Sequence, residues 1–287
     1  MWTRRTWLRL AAGFCTGAAQ AAPLLIDGWP GARGGAARIR YRANATVTLL
    51  NIPLVSRSDV GGGWASASES EGVLRLEFAG GSDPARARGL NRMGFVQEVA
   101  RASDYAYFGF ISASREESFA EAKAALEREA GELTHYIAVQ GSAAGGRLQI
   151  SKKAVAAPSR LTWSQFNDLV SWVRRDFSSD PPELTSAPRD GLPFLQTMWS
   201  AMCDGKRETS SLFLHQGQRF QLRTRKTPDP KRSERAIRLE GVIEAEAKRE
   251  KTPFRLWYVD GTPPGLPFRI EYKARPYLRL VFESIEG

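Results

Sequence analysis

The amino-acid sequence predicts a mainly β, α+β domain: a large curved antiparallel sheet, or half-barrel, with about three packed helices. Three observations carry this expectation. Apolar residues recur with period two over most of the chain, Gly- and Pro-rich turn signals separate the runs, and only three segments switch to helical spacing.

The alternation is explicit at Leu74, Leu76 and Phe78 against Arg75 and Glu77, and at Phe220 and Leu222 against Gln221 and Arg223. It continues at Ile237, Leu239 and Ile243 against Arg238, Glu240, Glu244 and Glu246, then at Phe254, Leu256 and Tyr258 against Arg255 and Trp257. Phe268, Ile270 and Tyr272 oppose Arg269, Glu271 and Lys273, and Leu278, Leu280 and Phe282 oppose Arg279 and Glu283. One apolar and one charged face describe antiparallel strands with a wet side. Gly61-Gly62-Gly63, Gly80-Gly81, Gly145-Gly146, Pro228-Asp229-Pro230 and Pro263-Pro264-Gly265 read as turns between them.

Ser114 and Glu117 form a capping box ahead of Phe119, Ala122, Leu126 and Ala130, which predicts a first helix. Thr162 and Gln165 cap a second, whose Phe166, Leu169, Val170, Val173 and Phe177 fall on one face. A third runs from Pro193 to Cys203. The expectation is that these helices pack on the concave face of the sheet. The Pro-rich stretch Ser178 to Asp190 reads as a long loop within one domain.

At the N-terminus, Arg4, Arg5 and Arg9 precede a short Ala- and Gly-rich apolar run that ends at Ala19-Gln20-Ala21. A positive start, an apolar middle and a small-x-small exit predict a secretory signal over 1–21, cleaved after Ala21. The arginine pair followed by Trp7 and Leu8 fits the twin-arginine route as well as the Sec route. The expected mature unit is a single β-rich domain over 22–287, with a helical section at about 161–205, located in the periplasm. Of the chain's two cysteines, only Cys203 would remain. Its neighbours Met198, Trp199, Ala201 and Met202 make it read as a small buried hydrophobe.

The formal net charge of +10 favours anionic partners. Export argues against nucleic acid, and no metal-ligand or cofactor motif is present, so neither a metal nor a cofactor is implied. No serine elbow, zinc-binding helix, P-loop or dinucleotide fingerprint occurs. Gly141-Ser142-Ala143-Ala144-Gly145 has the wrong spacing for an elbow and reads as a turn. His135 and His215 are the two histidines, each on a strand, where a structural role is the plainer reading. Glu69 with Glu71, and Glu244 with Glu246, stand two apart as acid/base pairs do, but Glu244 and Glu246 lie on the face opposite the apolar stripe, so a solvated surface is the plainer reading.

Arginine is more informative. Arg223, Arg238, Arg255, Arg269 and Arg279 each sit mid-strand on the polar face, so pairing of neighbouring strands would set them in a ladder with Glu240, Glu271 and Glu283. A second cluster, Arg86, Arg88, Asn91 and Arg92, lies among glycines and suits an anionic group. Phe166, Trp172, Phe194, Trp199, Phe254 and Tyr272 supply large groups to line an apolar pocket. Tyr105, Tyr107, Phe108 and Phe110 read as a core strand.

The segments Phe254-Arg255-Leu256-Trp257-Tyr258, Leu266-Pro267-Phe268-Arg269-Ile270-Glu271-Tyr272 and Leu278-Arg279-Leu280 resemble uncharacterised exported bacterial families whose sheets end this way. Those families look like curved antiparallel half-barrels, similar to the periplasmic lipoprotein-carrier fold. The resemblance spans residues 253–283 and implies a fold but no catalytic residues.

These observations lead to a non-catalytic periplasmic protein that binds or carries an amphiphilic or anionic envelope component. The expected partner is a lipid or an anionic envelope molecule, with peripheral contact to the membrane, and the oligomeric state is left open. A hydrolase of envelope glycans or esters, using His135 or His215 with a carboxylate, is the alternative from another class. A structural partner of another envelope protein is a further one.

Overall fold

A computed structural model describes residues 37–49, 52–83, 85–87, 92–102, 104–112, 133–158, 165–179, 184–189, 191–215, 218–246, 251–275 and 277–285. The expected signal segment and the helix at 114–130 lie outside the described residues, as do Arg88 and Asn91.

The described chain forms one open sheet of 15 strands. A first run of hairpins comprises β1 (Ala37–Leu49), β2 (Ile52–Ser70), β3 (Val73–Ser82), β4 (Met93–Arg101), β5 (Asp104–Ser112), β6 (Leu133–Ala144), β7 (Arg147–Pro158) and β8 (Leu184–Pro188). A second comprises β9 (Leu192–Pro193), β10 (Glu208–His215), β11 (Gln218–Pro228), β12 (Ala236–Ala245), β13 (Lys251–Val259), β14 (Arg269–Arg275) and β15 (Leu278–Ser284). The strand order is β8-β7-β6-β5-β4-β3-β2-β1-β15-β14-β13-β12-β11-β10-β9. Every pairing is antiparallel except the short β9–β10 contact. The first and last strands therefore meet mid-sheet, in register from Tyr41↔Ser284 to Val47↔Leu278.

The two edge strands, β8 and β9, are consecutive in sequence. Four residue steps from Pro188 to Leu192 span at most about 14 Å, so the sheet must curl until its edges approach one another. Burial on β10 shows how far it curls. Phe213 and Leu214 point to opposite faces of that strand, yet both are buried. Phe213 packs under helix α2 (Phe194–Cys203) with Leu222, Leu239 and Leu256. Leu214 packs against Tyr105, Tyr107, Val139 and Leu148 of the first run. The β9–β10 edge is thus tucked inside the concave side of β5–β7, like the inner lip of a scroll.

The described residues carry two helices rather than about three, and they do not share the concave face. Helix α1 (Phe166–Ser179) lies on the outer face of the first run. Its Phe166, Leu169, Val173 and Phe177 are buried against Phe95, Phe108, Phe110, Tyr136 and Val155. Each such side chain contributes about 1.5–3 kcal/mol by leaving water. Arg174 fixes the docking by donating to Gln97 Oε1 at 2.7 Å while its guanidinium lies 4.8 Å from the Phe108 ring centroid. Helix α2 occupies the inner face. The cause of the difference is the aromatic strand β5, which is apolar on both faces: Phe108 and Phe110 serve α1, and Tyr105 and Tyr107 serve the tucked edge.

Several local expectations change. Gly61-Gly62-Gly63 and Gly80-Gly81 are not turns but opposed strand positions, with Gly62↔Gly81 and Gly63↔Gly80 in register. The Phe282 ring lies over Gly63 and Gly80, about where side chains would otherwise project, so the missing Cβ atoms admit an aromatic from β15. Gly141 to Ala144 belongs to β6, and the turn falls at Gly145 (φ 57°) and Gly146 (φ 78°). That two-residue connection uses positive φ at both positions, as tight hairpins do. The stretch expected as a loop before Asp190 contains edge strand β8. Cys203 is exposed at the end of α2 rather than buried.

Candidate anion-binding face

The strand registers turn the charged face of the second run into an ordered array. On its outer side Glu208 pairs across to Arg225, Arg225 to Glu240, Glu240 to Arg255, and Arg255 to Glu271. The signs alternate along one row from β10 to β14. A neighbouring row runs Thr227, Arg238, Trp257, Arg269, Glu283. Of the ladder expected from the alternating sequence, Arg238, Arg255 and Arg269 stand in these rows with Glu240, Glu271 and Glu283, whereas Arg223, opposite Ser210 and Val242, and Arg279, opposite Thr46 and Lys273, fall outside them. Arg225 and Glu208 are members that the sequence could not assign without the register.

Within the rows Glu240, Glu271 and Glu283 are already engaged, whereas Glu208, opposite Arg225, holds no ion pair among the described residues. Glu240 Oε1 accepts Arg255 Nε at 3.2 Å and faces Arg238 Nε at 3.7 Å. Arg269 donates to Glu271 through Nε at 2.8 Å and Nη2 at 2.5 Å, and also pairs with Glu283. The Arg269 guanidinium lies 5.5 Å from the Trp257 ring centroid, and Trp257 Nε1 donates to Asp229 at 2.9 Å. Partial burial of Arg269 and Glu271, at 17% and 12% side-chain exposure, makes this the firmest knot of the face.

Two adjoining depressions open on the array. The larger, about 650 Å³, is lined by Glu208, Ser210, Arg223, Arg225, Glu240 and Arg255 among others. The smaller, about 390 Å³, is lined by Thr48, Glu271, Tyr272, Lys273 and Arg279, and shares Pro253, Phe254 and Arg255 with the first. Arg223 donates only to Gln221 Oε1, at 2.8 Å on its own strand. Arg225 and Arg279 hold no ion pair among the described residues. With Glu240 and Glu271 engaged by other arginines, the guanidinium groups of Arg223, Arg225 and Arg279 face the two depressions without a carboxylate partner. Groups of this kind recognise anions through charge-assisted hydrogen bonds.

The other candidate sites separate. Arg86 is ion-paired with Asp59 and lies 3.6 Å from Asp83, so its charge is already met. Arg92 is half-buried, and its main chain is tied to Ser82 through both Arg92 N→Ser82 Oγ and Ser82 N→Arg92 O, each 2.7 Å. Of the apolar set, Phe194, Phe254 and Tyr272 meet in the cluster under α2, with Phe254 lying over Gly241. Phe166 belongs to the separate α1 core, on the opposite face of the sheet. Trp172 is 39% exposed with Arg175 stacked on it at 4.8 Å, and Trp199 is half-buried on α2. A single pocket cannot collect all six.

His215 ends β10, exposed, its ring 6.2 Å from that of Phe220. His135 lies on β6, with its side chain outside the described residues. Glu244 has Lys251 at 3.8 Å and Glu246 has Arg219 at 3.7 Å, so each carboxylate answers a cation. Glu71 sits in a turn at φ 53°, beyond the strand that carries Glu69. Tyr105, Tyr107, Phe108 and Phe110 form a buried core strand. Among the described residues no group of three His, Cys, Asp or Glu is placed to hold a metal ion, and no helix is long and apolar enough to cross a membrane.

One titratable group was missed by sequence reasoning. Glu98, 2% exposed, projects from β4 to the N-terminus of α2 and accepts Leu195 N at 3.0 Å and Gln196 N at 2.8 Å. Burial raises its pKa to about 7, against the lowering pull of those amides and that of Phe194. At the other end of α2, Lys226 Nζ donates to the carbonyls of Met202, at 3.1 Å, and Asp204. Opposite charges thus sit at the two ends of the helix, each where its macrodipole is complementary. The signal for Glu98 was a lone carboxylate inside the apolar run Phe95-Val96-Gln97-Glu98-Val99.

No protein-family model matches the chain, and neither does any curated protein or any solved structure.

Proposed function

We propose that this chain is a non-catalytic binding protein of the bacterial cell envelope, exported to the periplasm, that holds an extended anionic component across the outer face of β10–β15. The observation that carries the reading is the pair of adjoining depressions into which Arg223, Arg225 and Arg279 present guanidinium groups without carboxylate partners. The N-terminal Arg4, Arg5, Arg9 and Ala19-Gln20-Ala21 support export. The anionic half of the expected ligand moves from the Arg86–Arg92 segment to this face. The apolar half loses its support, because Phe194, Phe254 and Tyr272 are packed under α2.

A shallow, open site on a rigid sheet suits a repeating anion held at several points better than a single small molecule. Each charge-assisted hydrogen bond contributes about 1.5–3 kcal/mol. Titration calorimetry with a linear polyuronate tests the reading. Arg223→Gln/Arg225→Gln is expected to weaken binding about tenfold or more, with affinity falling as salt is added. Undiminished binding by the double variant overturns it.

A further inference from the structure

Strand β1 carries Arg38-Ile39-Arg40-Tyr41-Arg42, in which every second residue is an arginine. Alternate residues of a strand share a face and stand about 7 Å apart, so the three guanidinium groups form a stripe along β1. Ile39 and Tyr41 point the other way, into a core cluster with Phe282, and Tyr41 Oη donates to Pro267 O at 2.5 Å. With β15 paired on one side and β2 on the other, the strand beneath the stripe is fixed.

The stripe continues the charged array. Arg42 is opposite Glu283, so it extends the row Thr227, Arg238, Trp257, Arg269, Glu283 onto β1. Glu283 is already taken, because Arg269 pairs with its Oε1 and Asn44 Nδ2 donates to its Oε2 at 3.1 Å. On the other flank Arg42, Arg40 and Arg38 face Gly62, Trp64 and Ser66 of β2, none of them acidic. Glu77, one strand beyond, accepts from Ser66 at 3.0 Å and from Gln97. All three arginines are exposed, and among the described residues none of them has a carboxylate partner. Arg38 lies 4.6 Å from the Trp64 ring centroid, and Trp64 in turn meets Phe166 of α1 at 6.5 Å. The stripe thus occupies the outer face between α1 and the ladder.

We infer that this stripe is the second contact of the anion-binding face, and that the ligand is a linear polyanion long enough to reach both. The inference rests on the anion-binding role proposed for β10–β15 and adds a length requirement to it. Five strand spacings of about 4.8 Å separate β11 from β1, so a chain held by Arg225 and Arg42 spans at least about 24 Å. Capture at one contact raises the effective concentration of the chain at the other, so affinity climbs once the chain reaches across. A short anion fills either contact alone and gains nothing from the second.

Titration calorimetry with oligouronates shorter than the span, and with a polyuronate longer than it, tests the inference. Arg38→Gln/Arg40→Gln/Arg42→Gln is expected to weaken long-chain binding about tenfold or more. Its circular dichroism spectrum should be unchanged, because the three side chains are exposed. The steep rise of affinity with chain length should disappear in this variant. Arg101→Gln/Arg147→Gln/Arg175→Gln removes as much charge from exposed positions off the track and should leave long-chain binding nearly unchanged. Long-chain binding equal in the stripe variant and the wild type overturns the inference while the β10–β15 contact stands. An equal loss in both triple variants also overturns it, since net charge would then be the cause. If instead Arg223→Gln/Arg225→Gln binds undiminished, the β10–β15 role falls, and the spanning ligand with it.

Discussion

Glu98 is the residue on which the second run of strands is hung. Its two carboxylate oxygens take the first amides of α2, and Gln196 Nε2 reaches back to Leu74 O at 3.3 Å. A carboxyl group has a pKa of about 4.3 in an unfolded chain, and burial lifts it to about 7 here. The folded state therefore binds a proton more tightly than the unfolded one. The stability this confers is fully present below about pH 4 and is lost as pH rises through about 7. A shift of this size is worth about 3–4 kcal/mol. Denaturant unfolding of the wild type should show stability declining from pH 4.5 to 7.5, and Glu98→Gln should flatten that decline. An equal slope in both proteins would remove Glu98 from the account.

At the scale of elements, α1 acts as a cover and α2 as a plug, and what differs between them is which sheet face supplies the apolar surface. Leu169 is fully buried between α1 and the outer face of the first run. Leu169→Ala should cost about 2–5 kcal/mol, measured by chemical denaturation; a loss below about 1 kcal/mol would mean that α1 is not docked as described. The helical spacing of Phe166, Leu169, Val173 and Phe177 made α1 legible in the sequence, and Pro193 marked the start of α2. The face on which each helix lies was not legible. It depends on β5, whose Tyr105–Phe110 run is buried on both sides, and a doubly buried strand leaves no alternation to read. The glycines of β2 and β3 misled for a related reason. Gly-Gly is a turn signal in isolation, and only the distant Phe282 ring explains why it sits in a strand.

For the whole molecule, the topology makes sense of the charged face. Because the first and last described strands, β1 and β15, pair with each other and the edge strands β8 and β9 are consecutive in sequence, the sheet rolls with one side enclosed. The outer face of the second run, which α1 does not cover, keeps its arginines in contact with water. Individual arginines were visible from the alternating sequence. Their partners were not, since setting Arg255 opposite Glu240, where the two form an ion pair at 3.2 Å, is fixed by register, and register is set by the whole sheet. The Arg86–Arg92 cluster shows the converse: residues adjacent in sequence suggested a site, and Asp59, distant in sequence, had already taken Arg86.

Amide hydrogen exchange with and without a linear polyuronate tests the central claim most directly, because it locates the ligand without assuming which arginines hold it. The account predicts added protection in β11, β12 and β13, beneath Arg223, Arg225 and Arg255, and no change in α1 or at residues 82–92. Protection confined to residues 82–92, or no protection anywhere at saturating ligand, would contradict it.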